Sequence, residues 1–157
     1  FGKGSFIEIA YTGLNVWATL DEQEIKSPFD LDYFIRLAGQ WSLPRYWTIG
    51  LRGLFRQGSY FTPLENVSFD DELEVFRPTF TLPSDRERLP AYNLLDINIS
   101  KLITLSENLM VVLFASGTNV FNFENVRGYT YNFDYSVREK QLFSQRAFYF
   151  GAQINFQ

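Results

Sequence analysis

Apolar and polar residues alternate with period two along several stretches of this chain, which limits those stretches to β-strands with one apolar face. From Asp32 to Leu43, Tyr33, Ile35, Leu37, Gly39, Trp41 and Leu43 fall on one side, with Arg36, Ala38, Gln40 and Ser42 on the other. From Trp47 to Gln57 the pattern repeats: Trp47, Ile49, Leu51, Gly53 and Phe55 oppose Thr48, Gly50, Arg52, Leu54 and Arg56. Leu95, Ile97 and Ile99 alternate with Asp96, Asn98 and Ser100, and Phe148, Phe150, Ala152, Ile154 and Phe156 alternate with Tyr149, Gly151, Gln153 and Asn155. Two further strands are less regular. In Ser5 to Trp17, Ile7, Ile9 and Tyr11 oppose Glu8, Ala10 and Thr12. Asn108 to Val120 is apolar on both faces through Met110-Val111-Val112-Leu113-Phe114, so its sides cannot be assigned from the pattern. The count is about six strands, most of them longer than the roughly 5–6 residues usual in globular sheets.

The connections alternate between long and short. Trp17 to Asp32, Gly58 to Pro90 and Phe121 to Ser144 are long, whereas Ser42 to Tyr46 and Thr104 to Asn108 are short. Tight turns then fall at one end of the sheet and long loops at the other, as in transmembrane barrels with short periplasmic turns and extended outer loops. A soluble barrel or sandwich merely tolerates this asymmetry, since loops beyond about 12–15 residues are uncommon in compact domains. Aromatic side chains point the same way. Trp41, Tyr46 and Trp47 bracket the first short turn, and Tyr33, Tyr60 and Phe61 lie toward the opposite strand ends, as two interfacial girdles would. Ordinary core aromatics of a soluble sandwich are the alternative.

The 157 residues suit a single unit. Mean hydropathy is only −0.14 although 46% of residues are apolar and 18% aromatic, because polar residues are mixed evenly among them. No run reaches the roughly 18 apolar residues of a membrane helix. With no Cys and no His, thiol chemistry, imidazole catalysis and zinc sites of those ligands are removed. A net charge of −4 offers no basic face to nucleic acid. No nucleophile elbow or phosphate loop is present, so the chain reads as a non-enzyme without a cofactor, although a pair of glycosidase carboxylates is not recognisable from sequence. Asp70-Asp71-Glu72 with Glu74 offers oxygen ligands to a cation but lacks the spacing and glycine of an EF-hand, and a solvated acidic loop is the simpler reading. The start, Phe1-Gly2-Lys3, carries neither an initiator Met nor a leader pattern, which suggests a removed leader or an excerpt from a longer chain.

The last strand, Phe150-Gly151-Ala152-Gln153-Ile154-Asn155-Phe156, resembles the outer-membrane assembly signal, with Gly151, Ile154 and Phe156 at its defining positions. Such a strand pairs with an edge of the barrel-assembly machinery by β-augmentation. It departs from the pattern where Phe150 replaces a polar residue and where Gln157 follows the terminal aromatic. A wider resemblance runs through Gly58-Ser59-Tyr60-Phe61-Thr62-Pro63, Arg88-Leu89-Pro90-Ala91-Tyr92-Asn93-Leu94-Leu95-Asp96 and Gly117-Thr118-Asn119-Val120-Phe121-Asn122. It continues in Asn125-Val126-Arg127-Gly128-Tyr129-Thr130-Tyr131 and Gln145-Arg146-Ala147-Phe148-Tyr149-Phe150-Gly151. In order and spacing these blocks resemble the C-terminal barrel region of TonB-dependent outer-membrane receptors of the Bacteroidetes type. The resemblance implies an all-β fold made of about six C-terminal antiparallel strands of a barrel of about 22. It also implies the bacterial outer membrane as location and energised nutrient uptake as function. The implied partners are membrane lipid, the remaining strands and plug, the TonB–ExbB–ExbD motor acting through the plug, and a surface lipoprotein as a further candidate. The plug, the TonB box and the earlier strands have no counterpart in these residues.

On that reading Arg36, Gln40, Arg52, Arg56, Asp96, Asn98, Gln153 and Asn155 face the lumen. There they meet a plug surface, a ligand, water or one another. A stand-alone or multi-chain porin-like barrel is the alternative, and a soluble β-sandwich binding module ranks after it.

Overall fold

The computed structural model describes residues 4–20, 22–27, 29–82, 85–143 and 145–156. Phe1-Gly2-Lys3, the loop boundary Ser144 and the terminal Gln157 lie outside them. Alternation becomes structure in six long strands: β1 (Phe6–Leu14), β4 (Leu31–Leu43), β5 (Trp47–Arg56), β10 (Tyr92–Ser106), β11 (Leu109–Thr118) and β14 (Ala147–Phe156). They form one antiparallel sheet in the order β1-β4-β5-β10-β11-β14, each long strand pairing with the next along the chain. The chain is therefore all-β and antiparallel, as the pattern implies. The described residues form an open sheet that does not close on itself, with β1 at one edge and β14 at the other.

Register fixes the two faces, because directly opposed residues of antiparallel strands share a face. One row runs Ile9, Leu37, Gly53, Leu95 and another runs Ile7, Gly39, Leu51, Ile97, Gly117, Phe148. A third runs Trp41, Ile49, Ile99, Ala115, Phe150. Each of the six strands thus contributes apolar side chains to one continuous face. The ambiguous strand is settled the same way: Val111 and Leu113 pair with Ile154 and Ala152 on that face, while Met110, Val112 and Phe114 oppose Asn155, Gln153 and Gly151 on the other. Aromatic rings lie across strand glycines and fill the gaps they leave. A Cβ on Gly39 would stand 2.6 Å from Trp41, and one on Gly151 would stand 2.3 Å from Phe114.

Short connections are a turn of Pro44–Tyr46 between β4 and β5 and the two residues between β10 and β11. The long connections differ from the open loops expected from sequence, because each carries its own hairpin. β2 (Trp17–Leu20) pairs with β3 (Gln23–Lys26), β7 (Leu64–Asp70) with β8 (Val75–Phe80), and β12 (Val126–Tyr131) with β13 (Arg138–Leu142). A two-residue pair, β6 (Tyr60–Phe61) with β9 (Glu87–Arg88), closes the base of the second connection. The first strand also ends earlier than expected, at Leu14, after a register shift between Thr12 and Leu14. The Val16 amide then turns to the Asp30 carboxylate, so Trp17 opens β2 and does not extend β1. Tyr60 and Phe61 likewise belong to the loop body and not to a strand end: the Arg88 guanidinium stands 3.9 Å from the Tyr60 ring, and Phe61 packs at a tilt against Tyr129 with ring centroids 5.1 Å apart.

Burial is the unusual part. The buried apolar side chains, Ile25, Leu89 and Val126, all lie in or beside the connections, and none is in the six-stranded sheet. Exposed area is 11309 Å², against about 8,200 Å² for a compact monomer of this mass. The excess follows from one sheet with no layer of described residues on either face. No described helix is long and apolar enough to cross a membrane, which leaves strand-crossing untouched.

Candidate functional site

Three places have structure beyond the bare sheet: the polar face, a charged stitch between two connections, and an aromatic cleft between two hairpins. The polar face carries all eight side chains singled out from the sequence. Glu8, Ala38, Arg52 and Asp96 form one row, flanked by a row of Ala10, Arg36, Leu54 and Leu94 and by a row of Phe6, Gln40, Gly50, Asn98 and Ser116. Arg52 and Asp96 are cross-strand partners, with Gln40 and Asn98 in the next row, around a hollow of about 280 Å³ over Gly50. Arg36, Arg52 and Glu8 line a second hollow of about 300 Å³. Arg56 sits toward the loop end, where it donates to Ser59 Oγ at 3.2 Å and lies 5.1 Å from the Tyr92 ring. Gln153 and Asn155 stand apart from this group, hydrogen-bonded to each other at 2.9 Å on β14 near the short-turn end.

Asp96 has a structural task as well. Its Oδ1 accepts the Asn119 amide at 2.9 Å, where the chain leaves β11 with Asn119 at φ 47. Asparagine tolerates that left-handed conformation better than most residues. The Asn119 side chain brackets Phe123 by accepting its N–H and donating to its carbonyl, and Asn125 does the same to the backbone of Asn93 at 2.8 and 2.7 Å. Both side chains are buried: Asn125 acts as a substitute strand partner that anchors the third long connection to β10, while Asn119 closes the start of that connection on itself. The assembly-signal positions divide by face. Gly151 lies beneath Phe114 on the polar side, while Ile154 and Phe156 project from the apolar side, 56% and 79% exposed.

The charged stitch was not legible in the sequence. Asp30 is fully buried and receives Arg88 Nη2 at 2.7 Å, Lys26 Nζ at 3.3 Å and the Val16 amide at 3.2 Å. Arg88 also donates to the carbonyls of Asp30 and Gly58 at 3.2 and 3.1 Å, so one guanidinium joins the first connection to the base of the second. Gly58 is required there: a Cβ would fall 1.7 Å from the Leu89 carbonyl oxygen. Burial tends to raise the Asp30 pKa, but hydrogen bonds from the Val16 amide, Lys26 and Arg88 outweigh it and hold the carboxyl below its usual 3.8. A depressed carboxylate stabilises the fold above the unfolded-state value, and that contribution is lost as pH falls through the lower folded value. Protection from hydrogen exchange of the Leu89 amide, which donates to the Ser59 carbonyl at 2.9 Å, should therefore persist at pH 5 and fall below about pH 3.8. Arg88→Ala should abolish it at neutral pH. Unchanged exchange in that variant would show that the stitch does not hold the loops.

The acidic run expected to be a solvated loop or a cation site forms the β7–β8 turn. Asp70 Oδ1 accepts the amides of Glu72 and Leu73 at 3.1 Å each, and Oδ2 pairs with Arg77 at 2.7 Å. No group of three or more metal-ligating side chains occurs among the described residues.

Beside that hairpin, Phe76 of β8 faces Tyr129 and Tyr131 of β12 and Phe133 and Tyr135 of the following turn, around an open cleft of about 610 Å³. The sequence showed these aromatics but not that two connections more than 40 residues apart would bring them together. Compared with known proteins, the chain matches no family model, no curated protein and no solved structure.

Proposed function

We propose that this chain forms terminal wall strands of a TonB-dependent outer-membrane receptor that imports a scarce nutrient. The observation that carries the reading is the uncovered apolar face of a single-layer sheet. Ile7, Ile9, Tyr11, Ile99, Leu113, Phe148, Phe150, Ile154 and Phe156 are all exposed on it. Covering these nine side chains, which are 39–80% exposed, is worth on the order of 8–16 kcal/mol at about 1.5–3 kcal/mol for each one fully buried, comparable to the net stability of an ordinary domain. Membrane hydrocarbon covers such a face without a second protein layer, whereas a soluble sandwich needs a second sheet. The polar opposite face, with its arginines and amides, suits a wet interior.

Sidedness supports the same reading, because both tight turns lie at one end and the three hairpin-bearing connections at the other. In this account the connections face outward and take part in substrate capture, while lumen side chains such as Arg36, Arg52 and Asp96 face the plug that the TonB–ExbB–ExbD motor pulls. The barrel-assembly machinery engages β14, and the chain has no catalytic role. Protease added to whole cells tests the orientation. Cleavage is expected within Gly58 to Pro90 or Phe121 to Ser144, and at the turns at Pro44 and Ser106 only after permeabilisation. Cutting at the short turns in intact cells would reverse the orientation and remove the support that sidedness gives.

A further inference from the structure

We infer that Lys101 holds the phosphate of an anionic phospholipid at the short-turn rim of the sheet, an inference that rests on the membrane-wall reading and adds a defined lipid site to it. Register puts Lys101 on the apolar face, in the row Leu43, Trp47, Lys101, Leu113, Ala152. Every other charged side chain of the six long strands, Arg36, Arg52 and Asp96 among them, stands on the opposite face. Lys101 is the single exception. Its ammonium lies 4.9 Å from the centre of the Trp47 ring and pairs with no acid among the described residues.

A lone cation on a face that otherwise meets hydrocarbon is costly unless its head reaches the interface and finds an anion there. Position supplies the first condition. Leu43 and Trp47 are the last pair before the turn Pro44–Tyr46, so this row lies where strand gives way to turn. From that level the lysine stem can run along the apolar surface while the ammonium enters the headgroup layer. Trp47 and Tyr46, 39% and 71% exposed, belong at the same depth. The turn also brings an exposed cation, Arg45, beside β10. Arg45 and Tyr46 take left-handed φ of 61 and 62, where Gly or Asn would be less strained; turn geometry therefore did not select these side chains. The rim is thus positive and lacks a protein acid among the described residues, and a carboxylate brought by another protein would have to stand on the lipid side of the wall. An ammonium has three donors and no acceptor, which the unesterified oxygens of a lipid phosphate complement. A choline head brings its own cation to the same place and suits the rim less well.

The test uses the full-length protein, otherwise free of Cys, with a bimane fluorophore on Ile103→Cys, the next residue of β10 on the same face, or on Leu95→Cys, farther from the rim on that face. It is reconstituted into vesicles of dioleoylphosphatidylcholine carrying a small, equal fraction of phosphatidylglycerol or phosphatidylcholine with a nitroxide near the top of one acyl chain. Quenching at position 103 should report phosphatidylglycerol enriched about fivefold, the gain expected from one cation near a bilayer surface, and position 95 should report no enrichment. Lys101→Gln should abolish the difference, and Lys101→Arg should keep it. Equal quenching by the two lipids at both positions, or enrichment at 103 that survives Lys101→Gln, overturns the site and leaves the membrane wall standing. Should Lys101→Gln fail to assemble, the comparison of positions 103 and 95 in the parent still decides. No quenching by either lipid at either position would sink the wall reading, and this site with it.

Discussion

Arginine at Leu51 or Ile97 is expected to cost the assembled protein about 2–4 kcal/mol where the site lies near the bilayer midplane. The two residues are cross-strand partners on β5 and β10, in the middle of the continuous apolar face. On the proposed membrane placement, a guanidinium there must either enter hydrocarbon or drag water and headgroups inward. Asn98 provides the internal control, because it follows Ile97 on the same strand and projects from the opposite face toward Gly50. Asn98→Arg should therefore change stability by less than about 0.5 kcal/mol, as surface substitutions usually do. Urea titration of folded protein in lipid vesicles reads both values. Equal tolerance of arginine at positions 97 and 98 would refute the division of the sheet into a lipid side and a wet side.

The second large effect is expected when the 157-residue chain is refolded alone in detergent: it should not form a closed, monomeric barrel. β1 and β14 each pair on one side only among the described residues, so the sheet presents two free edges of backbone N–H and C=O groups. In hydrocarbon each unsatisfied group costs several kcal/mol, and single-chain bacterial barrels start at about eight strands, the size at which side chains fill the interior. Pairing β1 directly with β14 would make a six-stranded cylinder below that limit. Order should appear only when further strands are supplied. Heat-modifiable migration and a sharp, dispersed amide spectrum from the chain alone would support the small stand-alone or multi-chain barrel instead.

Much of the sheet was legible before any coordinates, because alternation is a local property. All six expected long strands are present, four of them read from clean alternation, and Ile35, Leu37, Ile49, Leu51, Ile97, Ile99, Phe148 and Ile154 share one face. Only pairing could divide Met110 to Phe114 between the faces, since an apolar run carries no internal clue to its partner's register. The connections were less legible for a related reason. Hairpins such as β7–β8 are short, and their strands alternate weakly.

Contacts made across distance in the sequence left the least trace. Asp30 and Arg88 are 58 residues apart, and nothing near either announces the other. Asp70, by contrast, caps its own turn within three residues and pairs with Arg77 only seven along, so its turn chemistry was available in principle. The polar-face candidates share one face of the sheet, but their neighbours were not foreseen: Asp96 holds the Asn119 amide, and Arg56 leans on Tyr92.

Single cysteines placed along β10 at positions 95 to 100, in protein otherwise free of Cys, give clean spin-label sites for the central claim, that this sheet is a membrane wall with one face in lipid. In the full-length protein reconstituted into vesicles, labels at positions 95, 97 and 99 should be relaxed by dissolved oxygen and shielded from a water-soluble nickel chelate. Labels at 96, 98 and 100 should show the reverse. Period-two alternation of that sign is the result the account predicts, and nickel access that is uniform along the strand, or highest at 95, 97 and 99, would contradict it.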